Sequence, residues 1–269
     1  MMSVQNTSSP ETLLEVKGLT KFFGGLKAVK DFDITLKKSD LAGLIGPNGA
    51  GKTTVFNMIT GLYIPSDGEI IFQGDRIAGL EPHEITRLGI GRTFQNIRLF
   101  QNLTVLDNVR IAYHYHSGYN LIDSVLRNSN FSSREKELSE EAQEFLEIFK
   151  LGGVRNEIAK NLPYGEQRRV EIARALATNP RLLLLDEPAA GMNPREIVEL
   201  MELIHFIRDH FNLTILLIEH QMRVVMGICE YITVMDFGEV IARGNPGEIQ
   251  RNERVVEAYL GKGTSVNAA

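Results

Sequence analysis

The feature that most limits how this chain can fold is a glycine-rich stretch that follows a short apolar run, Leu41 to Ile45. It fits Gly-x-x-x-x-Gly-Lys-Thr, the phosphate-binding P-loop pattern. Its glycines let the backbone turn N–H groups toward an anion, and a helical pattern after the loop adds the favourable charge of a helix N-terminus. We therefore predict a nucleotide site in an α/β chain, with Lys52 near the β- and γ-phosphates and Thr53 on Mg²⁺. The loop consists of Gly46, Pro47, Asn48, Gly49, Ala50, Gly51, Lys52, Thr53 and Thr54.

Composition narrows the class of protein further. The chain has 269 residues and a net charge of -5, so no basic footprint indicates a nucleic-acid partner. A single cysteine, Cys229, rules out an internal disulfide and fits a reducing compartment. No apolar run approaches the ~20 residues that span a bilayer, and residues 1–10 lack the features of a signal peptide. We expect a soluble cytoplasmic protein whose membrane role would need a partner.

The chain alternates between strand and helix patterns, except in one region. Strands are expected at 13–16, 32–36, 69–72, 91–94, 182–185, 214–218, 231–237 and 239–242, and helices at 52–60, 82–88, 168–177, 194–212 and 253–260. Residues 100–160 are mainly helical, with capping boxes at Thr104 and Ser132 and a polar loop or insertion at 116–133. We interpret this region as a helical subdomain inserted into an α/β core.

Two carboxylates follow a run of four leucines, Leu182 to Leu185, which is typical of a strand buried on both faces. Asp186 and Glu187 therefore come at the carboxyl end of a strand, where open α/β sheets bind ligands. Neighbouring strand residues point to opposite faces, so the two side chains should have separate roles rather than share a proton. His220 follows another buried strand at the same edge. Taken alone, an Asp-Glu pair is usually a solvated strand end, and a lone His is usually structural or solvated. The P-loop upstream makes a functional role of the carboxylates the better interpretation.

Other candidate residues carry weaker signals. Phe22 and Phe23 precede the Gly24-Gly25 turn, and position alone favours a core role for both over stacking on a purine. Gln95, after the predicted strand at 91–94, would ordinarily be a polar loop residue.

Taken together and in order, these motifs resemble the ATP-binding subunits of ABC transporters, over residues 13–261. The resemblance implies a P-loop NTPase core, a helical subdomain at about 96–165 and an antiparallel β part. Residues 1–12, which are rich in Ser, Thr, Asn and Gln, are expected to form a disordered tail, and residues 262–269 a second tail. It implies that Phe23 stacks on adenine, which overturns the core interpretation for that ring. It also implies that Gln95 lies near Mg²⁺ and the attacking water, that Asp186 holds Mg²⁺, that Glu187 polarises the water, and that His220 contacts the γ-phosphate of ATP.

The signature sequence of the family, usually Leu-Ser-Gly-Gly-Gln, is altered here. This chain reads Leu162, Pro163, Tyr164, Gly165, Glu166, Gln167, so the serine hydroxyl is lost while the backbone N–H of Gly165 remains. Asn193 replaces the usual Asp after the second motif. These departures resemble the LivG-type ATPases of branched-chain amino acid importers. The ATPase of lipopolysaccharide extraction shares the run at 168–176 but usually keeps Ser-Gly-Gly, and non-transport ABC proteins carry arms or basic linkers that are not visible here.

The resemblance also implies partners. Two membrane permease subunits, a second ATPase subunit that is identical or paralogous, and indirectly a substrate-binding protein would complete the assembly at the cytoplasmic face of the membrane. Leu99 and Phe100 lie just after Gln95, and they either fill the core of the helical subdomain or line a groove for a permease helix. The transported substrate remains open at this stage, because specificity belongs to the other subunits.

Overall fold

The computed structural model describes residues 12–114 and 129–260. Within them the strands are β1 (Thr12–Phe23), β2 (Leu26–Lys37), β3 (Leu41–Ile45), β4 (Asp67–Phe72), β5 (Asp75–Arg76), β6 (Ile90–Arg92), β7 (Leu182–Asp186), β8 (Thr214–Ile218), β9 (Tyr231–Asp236) and β10 (Glu239–Gly244). The helices are α1 (Lys52–Ile59), α2 (Pro82–Leu88), α3 (Val105–His114), α4 (Ser129–Ile148), α5 (Tyr164–Leu176), α6 (Pro194–Phe211), α7 (Met222–Ile228), α8 (Pro246–Gln250) and α9 (Glu253–Leu260). Short 3₁₀ turns lie at Gly152–Val154 and Ala159–Asn161.

The chain forms two compact units, Met1–Ile85 with His205–Ala269, and Thr86–Ile204. In the first unit, β2, β1, β4 and β5 form an antiparallel sheet in that order. Its first two strands are a long hairpin that turns at Gly24-Gly25, so they extend well beyond the predicted 13–16 and 32–36. Backbone pairing between β1 and β2 continues to the exposed residues near the turn, because cross-strand hydrogen bonds do not require an apolar side chain.

The first unit also contains the strand that leads into the P-loop. Strand β3 pairs in parallel with β8 on one side and with β9 on the other, and β10 closes that edge in antiparallel pairing with β9. Every residue of β3 and β8 is buried, which confirms the burial predicted for the strand at 214–218. The expected strand at 214–218 and the hairpin after residue 231 are confirmed.

The second unit combines one parallel strand pair with helices. Strand β6 pairs in parallel with β7, and its three residues replace the predicted strand at 91–94. The predicted apolar stripe is buried: Leu138, Ala142, Phe145 and Leu146 lie on α4, and Phe149 directly follows it. The Phe145 ring packs against Tyr113 of α3 with ring centroids 5.8 Å apart. The helical stretch predicted at 96–165 lies within this unit.

Two sequence predictions concern the region before α4. The polar stretch at 116–133 lies partly outside the described residues, but 129–133 are helical rather than loop. Helix α4 begins at Ser129, so the capping box predicted at Ser132 is wrong, since that residue lies inside the helix. The cap at Thr104 is present, because its hydroxyl accepts a hydrogen bond from the backbone N–H of Asp107 at 3.0 Å. The predicted tails at 1–12 and 262–269 fall outside the described residues, apart from Thr12.

No helix within residues 12–114 and 129–260 is both long enough and apolar enough to cross a bilayer.

Candidate functional site

The P-loop connects β3 to α1 in the first unit and surrounds the ammonium group of Lys52. Gly46 and Gly49 have φ values of 149° and 82°, which a residue with a side chain rarely adopts. The Nζ of Lys52 donates to the carbonyl oxygens of Gly46 at 2.7 Å and Pro47 at 2.9 Å. This lysine is buried, whereas Thr53 in the first turn of α1 is exposed. The loop therefore leaves the hydroxyl of Thr53 and the first N–H groups of α1 available to a ligand. The ammonium group of Lys52 is held by the loop carbonyls.

The aromatic pair before the Gly24-Gly25 turn is not in the core. Phe22 and Phe23 are 46% and 42% exposed, so the core role that their position suggested is wrong for both. The ring of Phe23 contacts the edge of Tyr63 at a centroid distance of 5.2 Å. The Nζ of Lys21 lies 5.3 Å from the centroid of the same ring. Phe23 is thus held in place by neighbours yet remains accessible to a ligand.

Asp186 ends strand β7 in the second unit, where it is buried beside an arginine. Its carboxylate accepts a hydrogen bond from Nη2 of Arg92 at 2.9 Å. Burial raises the pKa of Asp186, although Arg92 acts in the opposite direction. Burial also lowers the pKa of Arg92. Removing the two charges from water opposes the ionised form of each partner, whereas their mutual attraction favours it. Sequence reasoning missed Arg92, whose only signal is a charge within a short, otherwise apolar strand.

Glu187 and Gln95 are brought together in the second unit. The amide Nε2 of Gln95 donates to Oε2 of Glu187 at 2.8 Å. Glu187 has φ of 47°, a strained left-handed conformation that is found disproportionately at functional sites. Asp186 pairs with Arg92 while Glu187 pairs with Gln95, so the two carboxylates have different partners, as predicted. The reason differs from the predicted one, because β7 ends at Asp186 and the left-handed backbone of Glu187, not strand alternation, directs the second side chain.

His220 follows β8 in the first unit and depends on its neighbour for its backbone geometry. The Oε2 atom of Glu219 accepts the backbone N–H groups of His220 at 2.9 Å and Gln221 at 3.1 Å. Glu219 is completely buried, while the His220 side chain is about half exposed. Glu219 was not among the predicted site residues. The sequence signal that could have identified it is an acidic residue at the end of an apolar run, directly before His220.

The altered signature lies at the start of helix α5 rather than before it. The helix begins at Tyr164, four residues before the predicted start at Arg168. The side-chain amide of Gln167 donates back to the carbonyl of Leu162 at 2.8 Å and so ties the first turn to the preceding residue. Asn193 caps α6, because its side-chain oxygen accepts the backbone N–H of Glu196 at 3.1 Å. The Asp-to-Asn change thus retains a helix-capping function.

The described residues contain no group of three or more His, Cys, Asp or Glu side chains that could hold a metal ion alone. Mg²⁺ in nucleotide sites usually takes few protein ligands and is bound in addition by substrate phosphates. Among the predicted ligands, the carboxylate of Asp186 and the amide oxygen of Gln95 in the second unit are hard oxygen donors of the kind that Mg²⁺ prefers. The hydroxyl of Thr53 in the first unit is a donor of the same kind. In this structure the guanidinium of Arg92 contacts the same carboxylate as Mg²⁺ would, that of Asp186.

Comparison with known protein families gives two matches. Residues 29–190 match the model described as ABC transporter, and residues 239–264 match the model described as Branched-chain amino acid ATP-binding cassette transporter.

Several full-length relatives are similar to the chain. It is 46% identical to the High-affinity branched-chain amino acid transport ATP-binding protein BraF of Pseudomonas aeruginosa, over 93% of this chain and 98% of that protein. It is also 46% identical to LivG of Escherichia coli K12, over 94% of this chain and 99% of that protein. Identity to the Lipopolysaccharide export system ATP-binding protein LptB of Escherichia coli K12 is lower, 36% over 93% of this chain and 97% of that protein.

Solved structures agree with this grouping. The ADP conformation of MJ1267, an ATP-binding cassette of an ABC transporter, matches with a TM-score of 0.81 and 32% identity, over 93% of this chain and 99% of that one. The dimeric cassette MJ0796 bound to ADP and Pi matches with a TM-score of 0.73 and 27% identity, over 87% and 99%. The P-loop, the paired Gln95 and Glu187, and these full-length similarities lead to one conclusion: the chain belongs to the ATP-hydrolysing, ATP-binding subunits of ABC transporters.

Proposed function

We propose that this chain energises the import of branched-chain amino acids, as a peripheral subunit at the cytoplasmic face of the membrane. The observation that carries the proposal is 46% identity to BraF and LivG, which extends over at least 98% of both proteins. Their names state high-affinity transport of branched-chain amino acids. The match of residues 239–264 to a family segment of the same description is an independent support from the C-terminal region.

In the proposed reaction, water attacks the γ-phosphorus of ATP in line with the bond to ADP, and ADP and phosphate are released. The P-loop backbone and Lys52 bind the phosphates, and the ring of Phe23 stacks on adenine. Thr53, Asp186 and Gln95 would hold Mg²⁺, which supplies positive charge to the phosphate oxygens when bound. Positioning and charge neutralisation account for most of the rate in this class of reaction.

Glu187 is proposed to orient the attacking water and to accept a hydrogen bond from it. The hydrogen bond from Gln95 orients the carboxylate of Glu187. The left-handed backbone conformation at Glu187 sets the direction in which its side chain leaves the main chain. His220 is assigned to the γ-phosphate, with Glu219 holding its backbone. The residues from Leu162 to Gln167 are assigned to the ATP of a second, identical or paralogous ATPase subunit, in a head-to-tail dimer.

A groove in the second unit supports the docking of the permease. It has a volume of about 650 Å³ and is lined by Leu99, Phe100, Ile111, Arg98 and Arg174 among others. Phe100 is 48% exposed, so it does not fill the core of the unit. The guanidinium of Arg174 lies 5.5 Å from the centroid of the Phe100 ring. Apolar side chains beside two guanidinium groups favour an amphipathic permease helix that carries a carboxylate.

Substitution of Glu187 tests the proposed chemistry. Glu187→Gln keeps the shape and an oxygen that can accept from Gln95, but it removes the charge that polarises water. We expect ATP to bind with affinity near that of the wild type while steady-state turnover falls about 10²–10⁴-fold, the usual contribution of a general base. Glu202→Gln, the same change at an exposed site on α6, is the control and should hydrolyse ATP normally. Turnover of Glu187→Gln within twofold of wild type would remove Glu187 from the mechanism.

The substrate is tested separately, in vesicles that contain the chain with its permease subunits and binding protein. ATP-dependent uptake of radiolabelled leucine, competed by isoleucine and valine but not by lysine, is the expected result. Hydrolysis that is stimulated by an unrelated solute, without leucine uptake, would reject the substrate and leave the ATPase assignment intact.

A further inference from the structure

Helix α5 carries a buried ion pair that no predicted role explains. Arg168 and Glu171 lie one turn apart, and their side chains are 0% and 1% exposed. The Nη1 atom of Arg168 lies 2.7 Å from Oε2 of Glu171. Burying two charges costs stability, and an apolar pair of similar volume often serves as well or better. The Nε atom of Arg168 has no hydrogen-bond partner among the described residues, which adds to that cost. Stability alone is therefore a poor reason for this pair.

The pair binds the backbone of the segment that contains Gln95. Arg168 donates from Nη1 to the carbonyl oxygen of Phe94 at 2.7 Å and from Nη2 to that of Gln95 at 2.8 Å. Oε1 of Glu171 accepts the backbone N–H of Arg98 at 3.1 Å and that of Phe94 at 3.4 Å. Residues 93–98 form neither strand nor helix, so these side chains replace the partners that regular structure would supply.

The same guanidinium group also binds the altered signature. Nη2 of Arg168 donates to the phenolic oxygen of Tyr164 at 2.9 Å. The Tyr164 ring lies against the loop after Asp186 and Glu187, since a Cβ atom on Gly191 would stand 3.5 Å from the ring. Tyr164 occupies a signature position where the family usually has glycine, which has no side chain to reach Arg168. One charged group therefore connects the backbone of Gln95 to a side chain particular to this signature.

We propose that Arg168 and Glu171 are positioning residues for Gln95, and that the Tyr164 hydroxyl couples the signature to Gln95 through Arg168. In this arrangement the pair fixes the backbone from which Gln95 reaches Glu187. A displacement of the signature is transmitted to the Gln95–Glu187 hydrogen bond through Arg168. The inference rests on the proposed role of Gln95 in hydrolysis.

Tyr164→Phe is the most informative variant, because it removes one oxygen atom and keeps the ring, whereas changes at Arg168 could prevent folding. In the full-length protein assembled with its permease, we expect kcat to fall about three- to tenfold, the effect of one net hydrogen bond, and KM for ATP to change less than twofold. Amide exchange measured by mass spectrometry should speed up in peptides that cover residues 93–98 and not elsewhere. Tyr231→Phe is the control, an exposed tyrosine in the other unit, and it should leave both measurements unchanged.

A double-mutant cycle with Gln95→Ala separates positioning from a direct contact with ATP. If Tyr164 acts through Gln95, the double variant should turn over ATP no more than about 1.5-fold slower than Gln95→Ala alone. Two results would overturn the inference and leave the role of Gln95 standing. One is a double variant whose loss of turnover equals the product of the two single losses, and the other is unchanged amide exchange at residues 93–98 in Tyr164→Phe. If Gln95→Ala itself hydrolyses ATP as fast as the wild type, the proposed role of Gln95 fails instead.

Discussion

Replacement of Gly46 by alanine should damage the P-loop far more than the same change at Gly49. Both glycines have positive φ, 149° and 82°. A Cβ atom on Gly46 would stand 2.0 Å from the carbonyl oxygen of Met235, whereas a Cβ atom on Gly49 meets nothing within 4 Å. Met235 belongs to β9, which is hydrogen-bonded to β3 on one side and β10 on the other. Its carbonyl therefore cannot withdraw without disturbing two strand pairings.

The expected magnitudes follow from these contacts. An L-residue in a left-handed conformation costs about 1–2 kcal/mol, which applies to both variants. Overpacking against fixed backbone adds about 1–3 kcal/mol or more, which applies only to Gly46→Ala. For a chain of this size, 1 kcal/mol corresponds to roughly 2–4 °C in melting temperature. We expect a loss of about 2–8 °C for Gly49→Ala and about 4–20 °C for Gly46→Ala.

Thermal unfolding followed by circular dichroism, without nucleotide, measures both losses under one condition. ATP is omitted because a methyl group at Gly49 could obstruct the phosphates and confuse stability with binding. Melting temperatures of the two variants within about 2 °C of each other would show that the Gly46 contact with Met235 relaxes freely, and the steric argument would be refuted.

Four further predictions concern single sites. Lys52→Ala should abolish binding of a fluorescent ATP analogue, and unchanged affinity would show that the loop is not the nucleotide site. Phe23→Ala should weaken ATP binding by about 1–3 kcal/mol with little change in turnover at saturating ATP, so a large fall in that turnover would indicate a structural role. Leu99→Ser with Phe100→Ser should preserve folding and basal hydrolysis but abolish assembly with the permease, and a melting temperature lowered by many degrees would instead place both residues in the core. Cys229 is buried, and burial raises its pKa to about 12. Iodoacetamide should therefore not label the native protein at pH 8, because almost no thiolate forms, and rapid labelling would contradict this.

The candidate site residues at the ends of strands could be proposed from the sequence because their signals are local. A glycine-rich loop between an apolar strand and a helix requires particular residues at fixed spacing. Four leucines before Asp186 and Glu187 define a strand that is buried throughout. The separate partners of Asp186 and Glu187 were also expected, but strand alternation is not their cause, because Glu187 lies beyond the end of β7 with a left-handed backbone. The opposite case is Phe23, where position favoured the core and the fold leaves the ring accessible.

The sequence by itself determined the class of fold, the family and the order of the motifs, since each depends on residues close together in the chain. Only the tertiary structure decided which polar groups meet across long separations. Arg92 pairs with Asp186 over 94 positions, and Arg168 binds the carbonyl of Gln95 over 73. Sequence periodicity and spacing do not predict such contacts, because the packing of whole helices and strands determines where a buried charge lies. A buried charge must then be paired with whichever polar group that packing brings near it.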